Sequence, residues 1–244
     1  MIVIAHTDRT YRSFVTDRIY SRYTVKISET DLYILTDSDL RETAYQSALG
    51  YRAQIEEYIR YHPEFQTSLM PLPVDSLAPD IVKDMLEAAN TAGVGPMASV
   101  AGAIAERVGI DLLACSSNVI VENGGDIYLN IKDDISIGIF AGDSPLSGKI
   151  ALRAHAAETP MGICTSSGTV GHSLSFGIAD AVCIKSRSAA LADAVATSVG
   201  NLITKKSDIK KGLERAMAIK GVLGVLIVTG DTMAIQGSME LRKA

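Results

Sequence analysis

The segment VIVENGGDIYLNI, residues 119–131, constrains the chain most. Two runs that alternate apolar and polar side chains flank Asn123-Gly124, a pair that fits a tight primed turn, so the segment predicts an antiparallel hairpin. A sheet has to be built around it. Alternation over residues 23–35 predicts a further strand, and short strands are expected at 135–141, 150–154 and 180–185. VLGVLIVTGDTMAIQG predicts a closing hairpin around Gly230-Asp231. Helical periodicity covers residues 40–61, where Ala44, Ala48, Tyr51, Ile55, Tyr58 and Ile59 share a face and Pro63 marks the end. It returns at 80–90, at 97–108 after the interruption GVGP, and at 188–204. Strand, long helix, then strands occurs in both halves without a residue-level repeat. The fold class this predicts is α+β, with mixed, largely antiparallel sheets flanked by long helices, rather than a doubly wound parallel sheet.

At 244 residues the chain is one large domain or two small ones. A single domain over 1–244 is expected, with the three prolines of residues 69–79 marking where a subdomain boundary near 70–80 would fall. Hydrophobic residues make up 47% and charged residues 21%, which excludes general disorder and a fibrous rod. The net charge of −5 and the absence of a long Lys/Arg stripe argue against nucleic acid as a partner. No apolar run approaches the ~18–20 residues that span a bilayer, and MIVIAHTDRTYRS is charged too early for a signal peptide, so no membrane association and a cytoplasmic location are expected. Cys115, Cys164 and Cys183 form no CxxC pair, which argues against a disulfide framework and a cysteine zinc site. The oligomeric state is left open, a homo-oligomer included.

Four segments carry residues suited to chemistry, and each also has a plain structural reading. VGPMASVAG, residues 94–102, joins a Gly-Pro turn to small helix residues around Gly95 and Ala98; its amides suit a phosphate, and its small side chains equally suit tight helix packing. In ENGGD the turn alone explains Asn123, Gly124 and Gly125. It does not explain Glu122 and Asp126, two acceptors beside bare backbone that suit ribose hydroxyls, a purine edge or a cation. In the Gly/Ser/Thr-rich stretch of residues 162–177, Cys164, Thr165, Ser166, Ser167, Gly168, Thr169 and His172 bring a thiol, four hydroxyls and an imidazole together. Such a stretch is either a linker or an anion nest. His172 is the histidine set among these groups, whereas His6, His62 and His155 lie in ordinary surface-like stretches. Finally, Asp193 and Thr197 are four positions apart on an alanine-rich helix, hence about 6 Å apart along its axis. A carboxylate and a hydroxyl stacked in this way suit Mg²⁺, or else a hydrogen bond between helices.

GPMASVAG, ENGGD, TSSGT and ADAVAT, in this order over residues 90–205, resemble the motifs of the ApbE superfamily, whose best-known members are FAD:protein FMN transferases. The match is closer to an archaeal and bacterial ApbE-like branch marked by VGPMASVAGAIAE, VENGGDIYL, CTSSGTVGHSLSFG and ADAVATSVGN, and it extends to SETDLYI and the R-x-x-IEEYI helix. The resemblance implies a T-fold-related, ApbE-like architecture. It further implies that the Ala98 carbonyl, Asp193 and Thr197 hold Mg²⁺ against the pyrophosphate of FAD or a related flavin or adenine nucleotide, a small-molecule ligand.

Two departures bear on activity. Ser99 stands where the transferases have the lysine of A-K-G, and VGHSLSFGIADAV replaces their H-x-x-D-P-x-T-G segment, leaving His172 as the stand-in for the missing histidine. These departures argue against transfer of FMN to a protein threonine at the rate of a transferase and leave open a Mg-dependent nucleotidyl or FMN transferase or a pyrophosphatase. The branch is also associated with sulfur assimilation (homocysteine biosynthesis), which offers a second reading with Cys164 as sulfur carrier. That role requires an accessible, partly ionised thiol.

Overall fold

The computed structural model describes residues 14–15, 20–168 and 177–243. The first elements are strands β1 (Phe14–Val15), β2 (Ser21–Ile27) and β3 (Thr30–Thr36), then helices α1 (Arg41–Tyr61), α2 (Glu64–Thr67) and α3 (Asp80–Ala92). A 3-10 turn, Pro96–Ser99, leads into α4 (Val100–Leu112). Strands β4 (Val119–Asn123), β5 (Asp126–Asn130), β6 (Ile135–Gly138), β7 (Ile150–Ala154), β8 (Met161–Ser166) and β9 (Ala181–Ser186) follow. The remaining elements are α5 (Ala189–Leu202), α6 (Ile209–Met217), β10 (Val222–Thr229), β11 (Thr232–Gly237) and β12 (Glu240–Lys243).

Among the described residues the strands make two sheets. The larger has the order β11-β10-β9-β8-β5-β4-β3-β2 and the smaller β1-β6-β7-β12, and every pairing in both is antiparallel. The small sheet lays Ile135, Ile137 and Leu152 on one face of the large sheet, against Ile120, Leu129, Ile163 and Leu226. The helices cover the opposite face, where Met85, Val108, Ala192 and Val195 meet Val121, Tyr128, Val182 and Ile227. Burial on both faces is why β10 reads VLGVLIVT, a nearly continuous apolar run without alternation.

The helices start and stop for local reasons. At the end of α3, Gly93 takes the left-handed conformation (φ +78°) and its amide donates to the Ala89 carbonyl, closing the last turn. The Ser188 hydroxyl caps the start of α5 by accepting from the Leu191 amide. No helix among the described residues is long and apolar enough to cross a membrane.

The α+β class agrees with this architecture, and several boundaries are corrected. The strand expected at 23–35 is the hairpin β2–β3, turned at Ser28 with φ +50°; alternation continues on both sides of the turn and no glycine or asparagine signals it. The strand expected at 135–141 ends at Gly138. The Gly/Ser/Thr stretch begins as strand β8, so Gly162, Cys164, Thr165 and Ser166 belong to the large sheet rather than to a loop. The helix expected from Met97 begins at Val100, because Ser99 (φ −123°, ψ 4°) breaks from helical geometry after the 3-10 turn. Helix α6 and the edge strand β12 carry no expectation from the sequence.

Candidate functional site

Register decides which of the expected residues meet. In the β4–β5 hairpin Asn123 pairs with Asp126 and Glu122 with Ile127. The two turn residues are therefore Gly124 and Gly125, with φ +70° and +106°, and not Asn123-Gly124. Side chains alternate along a strand. Asp126 accordingly shares the helix-facing side with Tyr128, while Glu122 shares the other side with Ile120. The two carboxylates expected to act together lie on opposite faces of the sheet, and Glu122 instead accepts the Gly125 amide at 2.8 Å and holds the turn.

On the helix-facing side Asp126 is opposite Cys164 of β8. The Cys164 thiol lies against the Asp126 carboxylate and 3.3 Å from the carbonyl oxygen of Ala189 at the start of α5. One turn further along α5, Asp193 accepts the Gly102 amide at 2.9 Å and also the Ala101 amide. The Asn123 side chain donates to the Ala101 carbonyl at 3.2 Å. Asp193 is thus held on the first turn of α4, and the Asp126 carboxylate lies near enough to repel it.

Backbones approach closely here because small residues permit it. A Cβ on Gly102 would stand 2.3 Å from the Ala189 carbonyl oxygen, and one on Gly162 would stand 2.3 Å from the Ala189 Cα. The helices α4 and α5 run antiparallel and cap one another. Asp193 of α5 takes the α4 amides, and Glu106 of α4 takes the Ser188 hydroxyl (2.9 Å) and the amides of Ala189 (2.7 Å) and Ala190 (3.1 Å). Glu106 has no mark in the sequence, since its partners lie more than eighty positions away.

Electrostatics follow from this enclosure. Burial pushes the Asp126 carboxyl well above the usual carboxylate range, and repulsion from Asp193 and Glu122 adds to it against the hydrogen bonds of the Cys164 thiol and the Thr165 amide. Burial also raises Asp193, although the α4 amides oppose the shift; part of the residue's surface is exposed, but its carboxylate is enclosed. Among the described residues no Lys, Arg or His pairs with either carboxylate. Burial, followed by the two aspartates, drives the Cys164 thiol far upward. Cys164 is completely buried, the opposite of the accessible, ionised thiol that the sulfur-carrier reading requires.

The other expected residues are distributed around this centre. Ala98 sits in the 3-10 turn that packs on α5, and Thr197 is half-buried one turn beyond Asp193. Gly95 is packed against Ser68, whose carbonyl oxygen would be 1.8 Å from a Cβ, so its bareness serves chain packing. The Thr165 side chain is turned to the opposite face, against Cys183. Ser166 lies on the same side as Cys164; it is buried, and its hydroxyl has no hydrogen-bond partner among the described residues. Ser167 is half-buried, and Gly168 packs on the Gly177 backbone with its amide on the Ala179 carbonyl. Thr169 and His172 lie outside the described residues.

The donors around Asp193 are hard oxygens, the kind Mg²⁺ takes, and they fit it in character. Among the described residues no three His, Cys, Asp or Glu side chains form a metal-binding group, so a cation here would draw on hydroxyl, carbonyl and ligand oxygens as well. Two grooves, of about 600 and about 410 Å³, lie elsewhere: one between α1 and residues 75–79, the other where α3, α4 and the start of α5 meet.

Comparison with known proteins adds the lineage. The UPF0280 protein of Methanococcus aeolicus is 42% identical over 221 residues, covering 88% of this chain and 89% of that protein. The UPF0280 protein of Methanocaldococcus jannaschii is 42% identical over 219 residues, covering 87% and 89%. Among solved structures, the apo flavinyl transferase ApbE of Pseudomonas stutzeri superposes with a TM-score of 0.55 at 14% identity, covering 90% of this chain and 94% of that one. The ApbE protein of Thermotoga maritima gives 0.53 at 15%, covering 90% and 97%. At these identities the likeness is one of fold. A family model described as AbpE bacteria matches residues 12–241, and the chain belongs to that family.

Proposed function

We propose that the protein binds the pyrophosphate of a flavin or adenine nucleotide together with Mg²⁺, between the start of α4 and the middle of α5. The observation that carries this reading is that Asp193 is held on the Ala101 and Gly102 amides with the Asp126 carboxylate near enough to repel it, and with no basic side chain of the described residues to balance them. Asp193, Thr197 and the Ala98 carbonyl would hold the cation. When bound, Mg²⁺ neutralises phosphate charge and polarises a phosphoryl oxygen.

The chain's own residues prepare that site. The α4 amides orient Asp193 and leave it acceptor capacity beyond the bonds it receives. Asn123 fixes the first α4 turn to the sheet, and bare backbone at Gly102 and Gly162 lets α4 and β8 both approach Ala189 at the start of α5. The flavinyl transferase named among the structural neighbours favours a flavin nucleotide. Transfer of FMN to a protein threonine is not part of the proposal. Ser99, in place of the transferases' lysine, is fully buried and donates its hydroxyl to the Pro96 carbonyl at 2.8 Å, so it cannot reach a ligand.

Calorimetric titration with FAD, ADP and FMN, with and without Mg²⁺, tests the reading. FAD and ADP, which contain a pyrophosphate, should bind only with the metal, and FMN should bind weakly in both conditions. Metal-independent binding of all three, or no binding by any, would remove the proposal.

A further inference from the structure

We propose that β11 is the contact edge of a symmetric dimer, in which two copies of the chain join their large sheets antiparallel along this strand. The contact involves none of the residues assigned to the nucleotide and stands without them.

The two edges of the large sheet are built differently. Among the described residues β11 pairs only with β10, and β2 only with β3. An edge strand presents a row of unpaired amides and carbonyls to another chain, and charged side chains are a common guard against that. β2 is guarded. Arg22, Thr24 and Lys26 share its exposed face, and a second β2 paired about Thr24 would set Arg22 of each copy opposite Lys26 of the other. Like charges directly opposite destabilise a sheet. β11 reads TMAIQG, with no charge to oppose its own copy. Asp231, in the turn before it, is already paired with Lys206 at 2.8 Å.

The apolar side chains of β11 carry the core outward to the edge. Met233 and Ile235 stand across from Val228 and Leu226 of β10, which are buried between the two sheets, yet they are 39% and 45% exposed themselves. Gly237 takes φ +81°, so the regular part of the strand is residues 232–236, with Ala234 at its centre. Two copies paired about Ala234 place Met233 of each opposite Ile235 of the other. The four side chains then extend the apolar rows of both sheets across the joint.

Charge complementarity on α6 points to the same occupant. This helix runs beside β11 in the same direction: Lys206, just before α6, reaches Asp231, just before β11, and a Cβ on Gly237 would stand 3.0 Å from the methyl of Met217 at the helix end. A two-fold axis at Ala234 therefore lays the two α6 helices antiparallel, the start of one beside the end of the other. Lys210 and Glu214 are exposed one turn apart, on the stripe that Met217 continues. Lys210 of each copy thus comes beside Glu214 of the other. Strand and helix both match a second copy of this chain, and a contact of this kind closes on itself as a pair.

Sedimentation equilibrium of the whole protein, free of nucleotide, reads the association, and circular dichroism checks that each variant is folded. The wild type should be a dimer at micromolar concentration. Ile235→Lys gives β11 the guard that β2 has and should weaken association at least about tenfold. Lys210→Glu and Glu214→Lys should each weaken it about two- to tenfold, because each sets like charges beside one another across the axis. An equal mixture of these two variants should associate at least as tightly as the wild type, which no contact within one chain can produce. Thr24→Lys, on the other edge, should leave association unchanged. A wild type that stays monomeric at about 100 μM, association unmoved by Ile235→Lys, or a mixture no tighter than its components would overturn the proposal. Open chains that Thr24→Lys stops would overturn it as well, since they join β11 to β2.

Discussion

Cys164 shows how strongly surroundings decide what a residue can do. In the sequence it opens a run of hydroxyls and glycines; in the fold it is a strand residue beneath α5, with its thiol driven upward by burial and by two carboxylates. Cys183 is likewise buried, its thiol raised to about 11, and Cys115 is exposed. Iodoacetamide at neutral pH should therefore modify Cys115 alone in the native protein, with the other two reacting only on unfolding. A second fast-reacting thiol, mapped to Cys164, would restore the sulfur-carrier reading. The same closeness makes Gly102 intolerant of a side chain. In Gly102→Ala the new Cβ meets the Ala189 carbonyl oxygen at 2.3 Å and the Asp193 Cβ at 2.9 Å. Chemical denaturation should show a loss of about 1–3 kcal/mol, the usual cost of overpacking, and an unchanged midpoint would mean the helices are less tightly joined than described.

At the scale of elements, β12 is held to β7 by ladder bonds and by a small ionic latch. The His155 ring stands between Asp134 (2.9 Å) and Glu240 (2.8 Å), Arg153 also binds Asp134, and Arg242 binds Glu240. Glu158 and its partner Lys185 complete the charged groups nearby. The hydrogen bonds to Asp134 and Glu240 raise His155 above its ordinary 6.5, so its contribution is fully present below that value and is lost as the pH rises through the raised one. Asp134, held down to about 2 chiefly by the Ala156 amide, and Glu240, lowered chiefly by Arg242, contribute above their ordinary values and lose that contribution in acid. The latch is thus strongest in mildly acidic solution. Amide exchange of Glu240–Lys243, corrected for intrinsic rates, should be most protected near pH 5 to 6, and His155→Gln should flatten the profile. Exchange that is indifferent to pH in the wild type would show that the ladder alone holds the strand. None of this was legible in the sequence. His155 reads there as an ordinary surface histidine, and its partners lie on two other segments. Helix α6 was hidden for a related reason. Its Gly212 looks like a helix breaker but is needed for contact with Ile203 and Ile227, which would be within 2.9 Å of a Cβ.

For the whole molecule, local signals carried the class and long-range ones the arrangement. The hairpin of residues 119–131, though placed one residue early at its turn, the hairpin around Gly230-Asp231, the capped helix at Ser188 and the α3 terminus at Gly93 are legible because each is decided within a few residues. Division into two sheets, and the neighbourhood of β5 with β8, are not, because partner choice depends on distant segments. The site divides along the same line. Asp193 and Thr197 are readable from helical spacing, whereas the sorting of Glu122 and Asp126 to opposite faces follows from register, and the meeting of Asp126 with Asp193 follows from the packing of α5 on the sheet. The central claim is that this meeting point holds a cation and a pyrophosphate together. Phosphorus-31 resonance of protein-bound ADP, with Mn²⁺ replacing Mg²⁺, tests it most directly. Both phosphorus lines should broaden strongly in the wild type and remain sharp in Asp193→Asn at the same metal concentration. Equal broadening in the two proteins, or ADP held by the wild type with its phosphates untouched by the metal, would contradict it.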